Sequence, residues 1–184
     1  MTTQAATRVA LETSLGLITL EIFDKLVPHA AAAFLRLVDD GSLARDGAFY
    51  RAVRSGDNDC LTPSIDIVQG GLLNPPQYLG GIPHESTAMS TLRHCDGTVS
   101  LTRGSVGSAT GAGFFICVGT QPSLDAGGDR KADGHGLAAF GMVTSGMDVV
   151  RRIHRLPTAS DPSDSFPGQM LLPPIRIHQT YLIT

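Results

Sequence analysis

Phe49-Tyr50-Arg51 is the first of three short stretches that decide the fold; the others are Gln69-Gly70-Gly71 and Phe114-Phe115-Ile116-Cys117. Each lies in a segment with the composition of a β-strand, and the third follows a glycine-rich loop. These stretches place one arginine, one glutamine and one phenylalanine on strands of a small, β-rich protein. The usual metal, nucleotide and nucleophile motifs are missing from the sequence.

The size and charge of the chain limit the classes of protein to which it can belong. Its 184 residues, 42% of them hydrophobic, suffice for one domain with a core. We expect a single domain, 8–184, behind a flexible N-terminus, 1–7. The net charge of −3 and only 14 Lys and Arg residues give no basic surface for a phosphate backbone. We therefore expect no nucleic acid partner.

The N-terminal residues and the cysteines predict where the protein works. Residues 1–7 lack the pattern of an export signal, and no apolar stretch reaches membrane-spanning length. Cys60, Cys95 and Cys117 are odd in number and widely spaced, which argues against a disulfide framework or a zinc site. We expect a soluble protein of the cytoplasm with no membrane partner, or of the periplasm if a signal peptide has been removed.

Alternation and helical spacing predict most of the secondary structure. Residues 9–13 and 18–22 alternate apolar and polar side chains around a short turn, which predicts an opening β-hairpin. Pro28 begins an alanine-rich segment with helical spacing up to Val38, and 147–155 form a second amphipathic segment. Further strands are expected at 48–53, 65–69, 98–102, 114–118, 138–143 and 175–183.

The connecting segments favour an all-β fold. Residues 55–64 carry turn-forming side chains throughout, and we interpret this segment as an exposed insertion between two strands. Short strands, 21 glycines and only two predicted helices favour a β-barrel or β-sandwich over alternating βαβ units.

Three other chemistries fit the sequence poorly. The glycines between Gly104 and Gly113 do not form G-x-G-x-x-G and no Lys-Ser/Thr follows them, so turn chemistry is the better interpretation. The six histidines show no H-x-x-x-H spacing, which argues against a metal site. Ser108 does not lie in a G-x-S-x-G motif, and no Ser-His-Asp order stands out, so hydrolase activity has little support.

Five motifs follow one another along the chain: F-Y-R at 49–51, V-Q-G-G at 68–71, F-F-I-C at 114–117, L-D at 124–125, and A-A-F-G-M-V at 138–143 with G-M-D-V-V after it. In this order they resemble the cyclophilin-type peptidyl-prolyl isomerases, and their bacterial branch most. The resemblance runs from about Val9 to Ile183. It implies a mainly β fold, a closed eight-stranded antiparallel β-barrel capped by two α-helices, with a shallow outer groove for X-Pro peptides.

The chemistry implied by this resemblance needs no cofactor and no metal. An X-Pro bond isomerises slowly because rotation breaks amide resonance, at a cost of about 18–20 kcal/mol. As the C–N bond twists, the proline nitrogen regains a lone pair, and a fixed donor aimed at it stabilises the transition state. The resemblance makes Arg51 that donor, since its planar, charged guanidinium offers several fixed N–H groups. Gln69 would hold the guanidinium in place.

Matched positions also assign the substrate-binding residues. Ile67, Phe115, Leu124 and Leu137 would form an apolar pocket for the proline ring. The main-chain groups of Thr102 and Arg103 would bind an extended peptide. Tyr50 and Gly113 are two flanking positions.

Several of these positions depart from the family pattern. Gly113 stands where the family has a glutamine, so one side-chain contact to the substrate is lost. Tyr50 replaces a histidine and keeps a polar tip on an aromatic body. An aromatic pocket position falls on Asp66 if the gap is placed before Ile65, which means either that the alignment shifts there or that the pocket is more open. A pocket-wall histidine maps near Leu137, with His135 two residues earlier. Ser123 replaces the tryptophan of cyclosporin-sensitive members, so we expect weak cyclosporin binding.

Two insertions relative to the family flank the motifs. Residues 55–64 lengthen the spacing between Arg51 and Gln69, and we expect this segment to overhang the groove and influence which peptides enter. Residues 127–131 are interpreted as an insertion in a surface loop.

Two classes of function remain. One is an isomerase that acts on proline-containing peptides and on unfolded or flexible proteins, as a monomer. The other is a cyclophilin-like module that binds such segments with little turnover, because Gly113 and the altered pocket make fewer transition-state contacts. The retained Arg51 favours the isomerase. A lipocalin-like ligand barrel is a third interpretation, but it would not need the pair of Arg51 and Gln69.

Overall fold

Nine strands in the described part of the chain form one antiparallel sheet. The computed structural model describes residues 7–77, 79–159, 161 and 165–183. The strands are β1 (Thr7–Thr13), β2 (Gly16–Ile22), β3 (Gly47–Val53), β4 (Ile67–Leu72), β5 (Thr98–Leu101), β6 (Gly113–Cys117), β7 (Ala139–Ser145), β8 (Thr158–Ala159) and β9 (Met170–Ile183).

Eight of these strands close into a barrel. They pair in the order β1-β2-β7-β5-β6-β4-β3-β9, and β9 returns to β1, where Arg8 pairs with Ile183. The two-residue strand β8 joins β9 outside the ring. The predicted eight-stranded antiparallel barrel is confirmed, and closure removes the free edges that an open sheet would expose.

Helices cover this barrel. They are α1 (Pro28–Asp39), α2 (Ser42–Asp46), α3 (Thr87–Ser90) and α4 (Met147–His154), with a 3₁₀ turn at Pro122–Leu124. The two predicted helices correspond to α1 and α4, whose apolar faces join the main core. The helices α2 and α3 were not predicted, because four or five residues are too few to display a helical period.

The N-terminus of α1 receives help from a distant carboxylate. Pro28 occupies the first turn, where its missing N–H costs no hydrogen bond. The next two amides, of His29 and Ala30, donate to the carboxylate of Glu85 at 3.1 and 2.8 Å. Farther along α1, Phe34 is fully buried in the main core.

Strand β6 separates an inner core from an outer one. Phe114 and Ile116 belong to the main core, whereas Phe115 and Cys117 belong to a second cluster on the other face of the strand. The ring of Phe114 lies 5.3 Å from that of Phe34 and 5.8 Å from that of Phe49, with edge-to-face geometry. Phe114 therefore faces the barrel interior, and Phe115 faces outward.

A β-bulge in β3 turns two consecutive side chains outward. Phe49 pairs with Gly70 and Arg51 pairs with Gln69, so Tyr50 is the extra residue between them. Phe49 and Ala52 lie in the main core, whereas Tyr50 and Arg51 lie on the outer side. A bulge resets the alternation of a strand in this way. It places the arginine on the face that Phe115 also occupies.

Parts of the predicted organisation lie at the limits of the described chain. Of the predicted flexible N-terminus, 1–7, only Thr7 is described, and it begins β1. Within the described ranges, no helix has the length and apolar composition to cross a membrane.

The two predicted insertions are tied to each other by a buried ion pair. The Asp59 carboxylate accepts from both terminal nitrogens of Arg130 at 2.8 and 3.0 Å. Only 1% of the Asp59 side chain and 7% of the Arg130 side chain are exposed. The interpretation of 55–64 as a merely exposed insertion, and of 127–131 as a surface loop, is therefore wrong at these two positions. Turn chemistry predicted the loops, but a partner 71 residues away buries their charged side chains.

We expect Asp59→Asn to lower the free energy of unfolding by about 3 kcal/mol, because it leaves the buried Arg130 charge uncompensated. Urea unfolding followed by circular dichroism measures this loss. The matched control is Asp57→Asn in the same segment, whose exposed pair with Arg54 contributes less than about 1 kcal/mol. Equal, small losses in both variants would show that the ion pair does not hold the insertion.

Candidate active site

Strand pairing places three predicted site residues in a row. Arg51 on β3 pairs with Gln69 on β4, and Gln69 pairs with Phe115 on β6. Residues paired across antiparallel strands point to the same face, with Cβ atoms about 4.5–5.5 Å apart. Ile67, two residues before Gln69, shares that face. The register alone therefore builds a polar patch next to an apolar one.

Two glutamines hold the guanidinium of Arg51. Its Nη1 donates to Oε1 of Gln69 at 2.8 Å, and its Nε and Nη2 donate to Oε1 of Gln169 at 2.8 and 2.6 Å. Because arginine only donates, both amides must present oxygen to it. Their nitrogens then donate to Tyr50 Oη at 3.1 Å and to the Asn58 carbonyl at 2.7 Å.

An aromatic ring covers one face of the same group. Cζ of Arg51 lies 3.6 Å from the ring centroid of Phe166, a cation–π contact. Burial lowers the pKa of Arg51 to about 10, so the guanidinium stays charged at neutral pH. The described residues engage three of the five N–H groups and cover one face, so two N–H groups have no acceptor among those residues.

A cavity of about 240 Å³ lies beside this guanidinium, and we call it the outer pocket. It brings together eight of the ten predicted site residues. The other two adjoin lining residues: Tyr50 accepts a hydrogen bond from Gln69, and Gly113 lies next to Thr102. The lining residues are Arg51, Leu61, Ile65, Ile67, Gln69, Thr102, Arg103, Phe115, Leu124, Arg130, Lys131, Leu137 and Phe166.

A buried histidine supports the apolar floor of the outer pocket. The imidazole of His94 stacks on Phe115 with 6.0 Å between ring centroids. Its Nδ1 donates to Asp125 at 2.8 Å, and its Nε2 accepts from Ser100 Oγ at 3.0 Å. Burial lowers the pKa of His94, against the opposing effect of Asp125, and thereby favours the neutral ring. Ser100 is fully buried, so this Ser-His-Asp chain has no access to a substrate.

Several groups on the polar side of the outer pocket already have partners within the chain. The side chain of Arg103 is buried and bonds to the Asp133 carboxylate and the Gly136 carbonyl. The Arg103 carbonyl, one of the main-chain groups assigned to a peptide, already accepts from Lys131 Nζ at 2.9 Å. The Thr102 amide donates to the Gly113 carbonyl at 3.1 Å. Among the described residues, no cluster of three His, Cys, Asp or Glu side chains is placed to hold a metal.

Comparison with known proteins identifies the family. The family model described as cyclophilin type peptidyl-prolyl cis-trans isomerase/CLD matches residues 8–181. The chain belongs to the cyclophilin-type peptidyl-prolyl cis-trans isomerases. Two bacterial relatives carry the name peptidyl-prolyl cis-trans isomerase. The protein of Streptomyces antibioticus is 32% identical over 83% of this chain and 86% of its own, and that of Acinetobacter baylyi is 29% identical over 85% and 76%.

Solved cyclophilin structures share the fold of this chain. A cyclophilin type peptidyl-prolyl cis-trans isomerase of Cryptosporidium parvum superposes with a TM-score of 0.72 at 18% identity, covering 98% of this chain and 99% of its own. A structure of the same protein in the presence of the dipeptide Ala-Pro gives a TM-score of 0.70 and covers 96% and 99%. At this identity the likeness shows the barrel and not the details of its site.

Three site residues of this cyclophilin were not predicted from the sequence. Gln169 and Phe166 reach Arg51 from more than 110 positions away, and no motif marks them. His94 was counted only as one of six histidines without metal spacing. His94 lies close to Asp125 of the Leu-Asp motif only in the folded chain, so its spacing in the sequence did not indicate that it belongs to the site.

Where this chain departs from the cyclophilin pattern, other residues line the outer pocket. Asp66 faces away from the outer pocket and accepts from the Ser55 amide at 3.1 Å, while Leu61 and Ile65 supply apolar surface instead. Leu137 lines the pocket, whereas His135 is exposed outside it. The insertion 55–64 thus reaches the pocket through Leu61, which agrees with the expected overhang.

Gly113 and Thr102 fit each other at the end of β6. A Cβ atom at Gly113 would lie 2.4 Å from Oγ1 of Thr102 and 3.6 Å from Oη of Tyr50. A carbon and an oxygen that are not bonded cannot approach to 2.4 Å without displacement. The threonine hydroxyl therefore occupies the space through which a side chain at 113, including the glutamine of other cyclophilins, would have to leave the strand.

We expect Gly113→Ala to lower the free energy of unfolding by about 1–3 kcal/mol through overpacking, and Thr102→Ala in the same chain to restore most of it. Thermal and urea unfolding of the single and double variants measure the coupling. Gly80→Ala is the control, since no atom of the described residues lies within 4 Å of its added Cβ. A Gly113→Ala variant as stable as wild type would mean that Thr102 rotates away freely.

Proposed function

We propose that residues 8–184 form a single domain that catalyses cis/trans isomerisation of X-Pro bonds, with Arg51 stabilising the twisted amide. The observation that carries this proposal is a fixed, charged guanidinium beside an apolar pocket, with two N–H groups that no described residue engages. Such a donor stabilises the pyramidal proline nitrogen more than the planar amide, which lowers the barrier without making or breaking a bond.

The apolar part of the outer pocket suits a proline ring. Ile67, Phe115, Leu124 and Leu137 are at least nine-tenths buried, so the floor is preformed. Holding the ring there would leave the preceding carbonyl free to rotate past Arg51. The Cryptosporidium parvum cyclophilin solved in the presence of Ala-Pro supports proline-containing peptides as the substrate class.

Further expectations accompany this proposal. Cys60 and Cys95 are exposed free thiols, which suits a reducing compartment, and we place the protein in the cytoplasm as a monomer. Weak cyclosporin binding is expected because the chain contains no tryptophan and Ser123 occupies the matching position. The alternative, a binding module with little turnover, draws on Gly113, which offers no side chain to the substrate.

Arg51→Ala should lower kcat/KM about 100-fold, the loss typical of removing one transition-state donor. Loss of the cis form of an Ala-Pro tetrapeptide at low temperature measures it. Arg51→Lys should not restore the rate, because an ammonium lacks the planar fork, and Arg36→Ala on the exposed face of α1 should leave it unchanged. Wild-type turnover that Arg51→Ala does not alter would exclude this mechanism. No acceleration by wild type would favour the binding module.

Gln169 is proposed as a positioning residue for Arg51. Gln169→Ala removes the acceptor of two of the three guanidinium bonds and should lower kcat about tenfold while KM stays within about twofold. Initial-rate kinetics over a range of peptide concentrations separate the two constants. The control is Gln179→Ala, an exposed glutamine on β9. A change in KM alone would show that Gln169 shapes the pocket and does not orient the donor.

A further inference from the structure

The outer pocket has an unusual balance of charge. Its lining contains four cationic side chains and, among the described residues, no acidic one. The cations are Arg51, Arg103, Arg130 and Lys131.

Two of the four cations form ion pairs with carboxylates that do not belong to the pocket lining. Arg103 donates to both oxygens of Asp133 at 2.7 and 2.8 Å. Arg130 donates to both oxygens of Asp59 at 2.8 and 3.0 Å. Such bidentate pairs cancel the field of the guanidinium at a short distance.

The other two cations bond to neutral oxygens within the described part of the chain. Arg51 donates to the amides of Gln69 and Gln169, and Lys131 donates to the Arg103 carbonyl at 2.9 Å. Four cations and two carboxylates leave two positive charges facing the cavity. Burial and the neighbouring Arg103 lower the pKa of Lys131, and the Asp133 carboxylate, which is bound to Arg103, opposes this shift only in part.

Arg51 and Lys131 lie in different surroundings, and these suit them to different roles. Arg51 is fixed by three hydrogen bonds and a ring, which suits a donor to the prolyl bond. Lys131 sits on a flexible four-carbon stem at the main chain of Arg103, where an extended peptide would lie. A substrate side chain that leaves the pocket along this wall would meet the ammonium.

We infer that the outer pocket selects proline-containing segments with an acidic side chain next to the proline, and that Lys131 binds that side chain. The inference rests on the proposed isomerase function and names its substrate class. An anion there would meet an unmatched charge in a partly desolvated site, where attraction exceeds that in bulk water.

Peptide pairs that differ only in Glu against Gln test the inference. The substitution is made at each of the two positions before proline and at the position after it, with the full chain as enzyme. At low ionic strength, kcat/KM should be about fivefold higher for Glu than for Gln in at least one pair. The ratio should fall toward one as NaCl is raised to 1 M, because salt screens the attraction.

Variants of the two lysines in the chain provide the matched comparison. Lys131→Gln should bring the Glu/Gln ratio close to one, and Lys131→Arg should retain it. Lys25→Gln, at an exposed position outside the outer pocket, should leave both rates unchanged. A ratio near one in wild type at all three positions, or a ratio that survives Lys131→Gln, would overturn the inference. Failure to isomerise any peptide would instead overturn the proposed function.

Discussion

The guanidinium of Arg51 is a largely buried cation whose described partners are neutral, and this constraint shapes the rest of the site. A buried charge normally requires a carboxylate partner. Here the oxygens of Gln69 and Gln169 orient the group, and the ring of Phe166 covers one face. Amide oxygens fix the direction of the N–H groups without cancelling their charge. The cavity beside them therefore keeps the positive field that a carboxylate would have removed.

Local pattern predicted most elements of the barrel, because alternating or continuously apolar runs mark the strands and helical spacing marks both longer helices. The bulge at Tyr50 was beyond reach of that pattern, since strict alternation would have sent Phe49 and Arg51 to the same face. The register between β3 and β4 determines which side chains of β3 face outward, and that register depends on strand pairing across the barrel. The same applies to Phe114 and Phe115. Both are apolar, so alternation along β6 does not show which of them faces the interior.

The residues of the candidate site likewise fall into those that the sequence predicted and those that it did not. Residues inside the motifs, such as Arg51, Gln69 and Phe115, were found from resemblance to a family, and strand register brings them together. Asp59 and Gln169 were missed because their importance comes from partners 71 and 118 positions away. Asp59 has the composition signal of an exposed turn, and only the fold converts it into half of a buried ion pair.

The closing strand β9 is the last of the nine in the chain, and Gln169 lies directly before it. A ribosome delivers the N-terminal elements first. Until β9 emerges, β1 and β3 are unpaired edges of an open sheet, and Arg51 lacks two of its three hydrogen bonds. The nascent chain is thus without an oriented arginine for most of its synthesis, and its two open edges invite pairing with other chains until the final strand arrives.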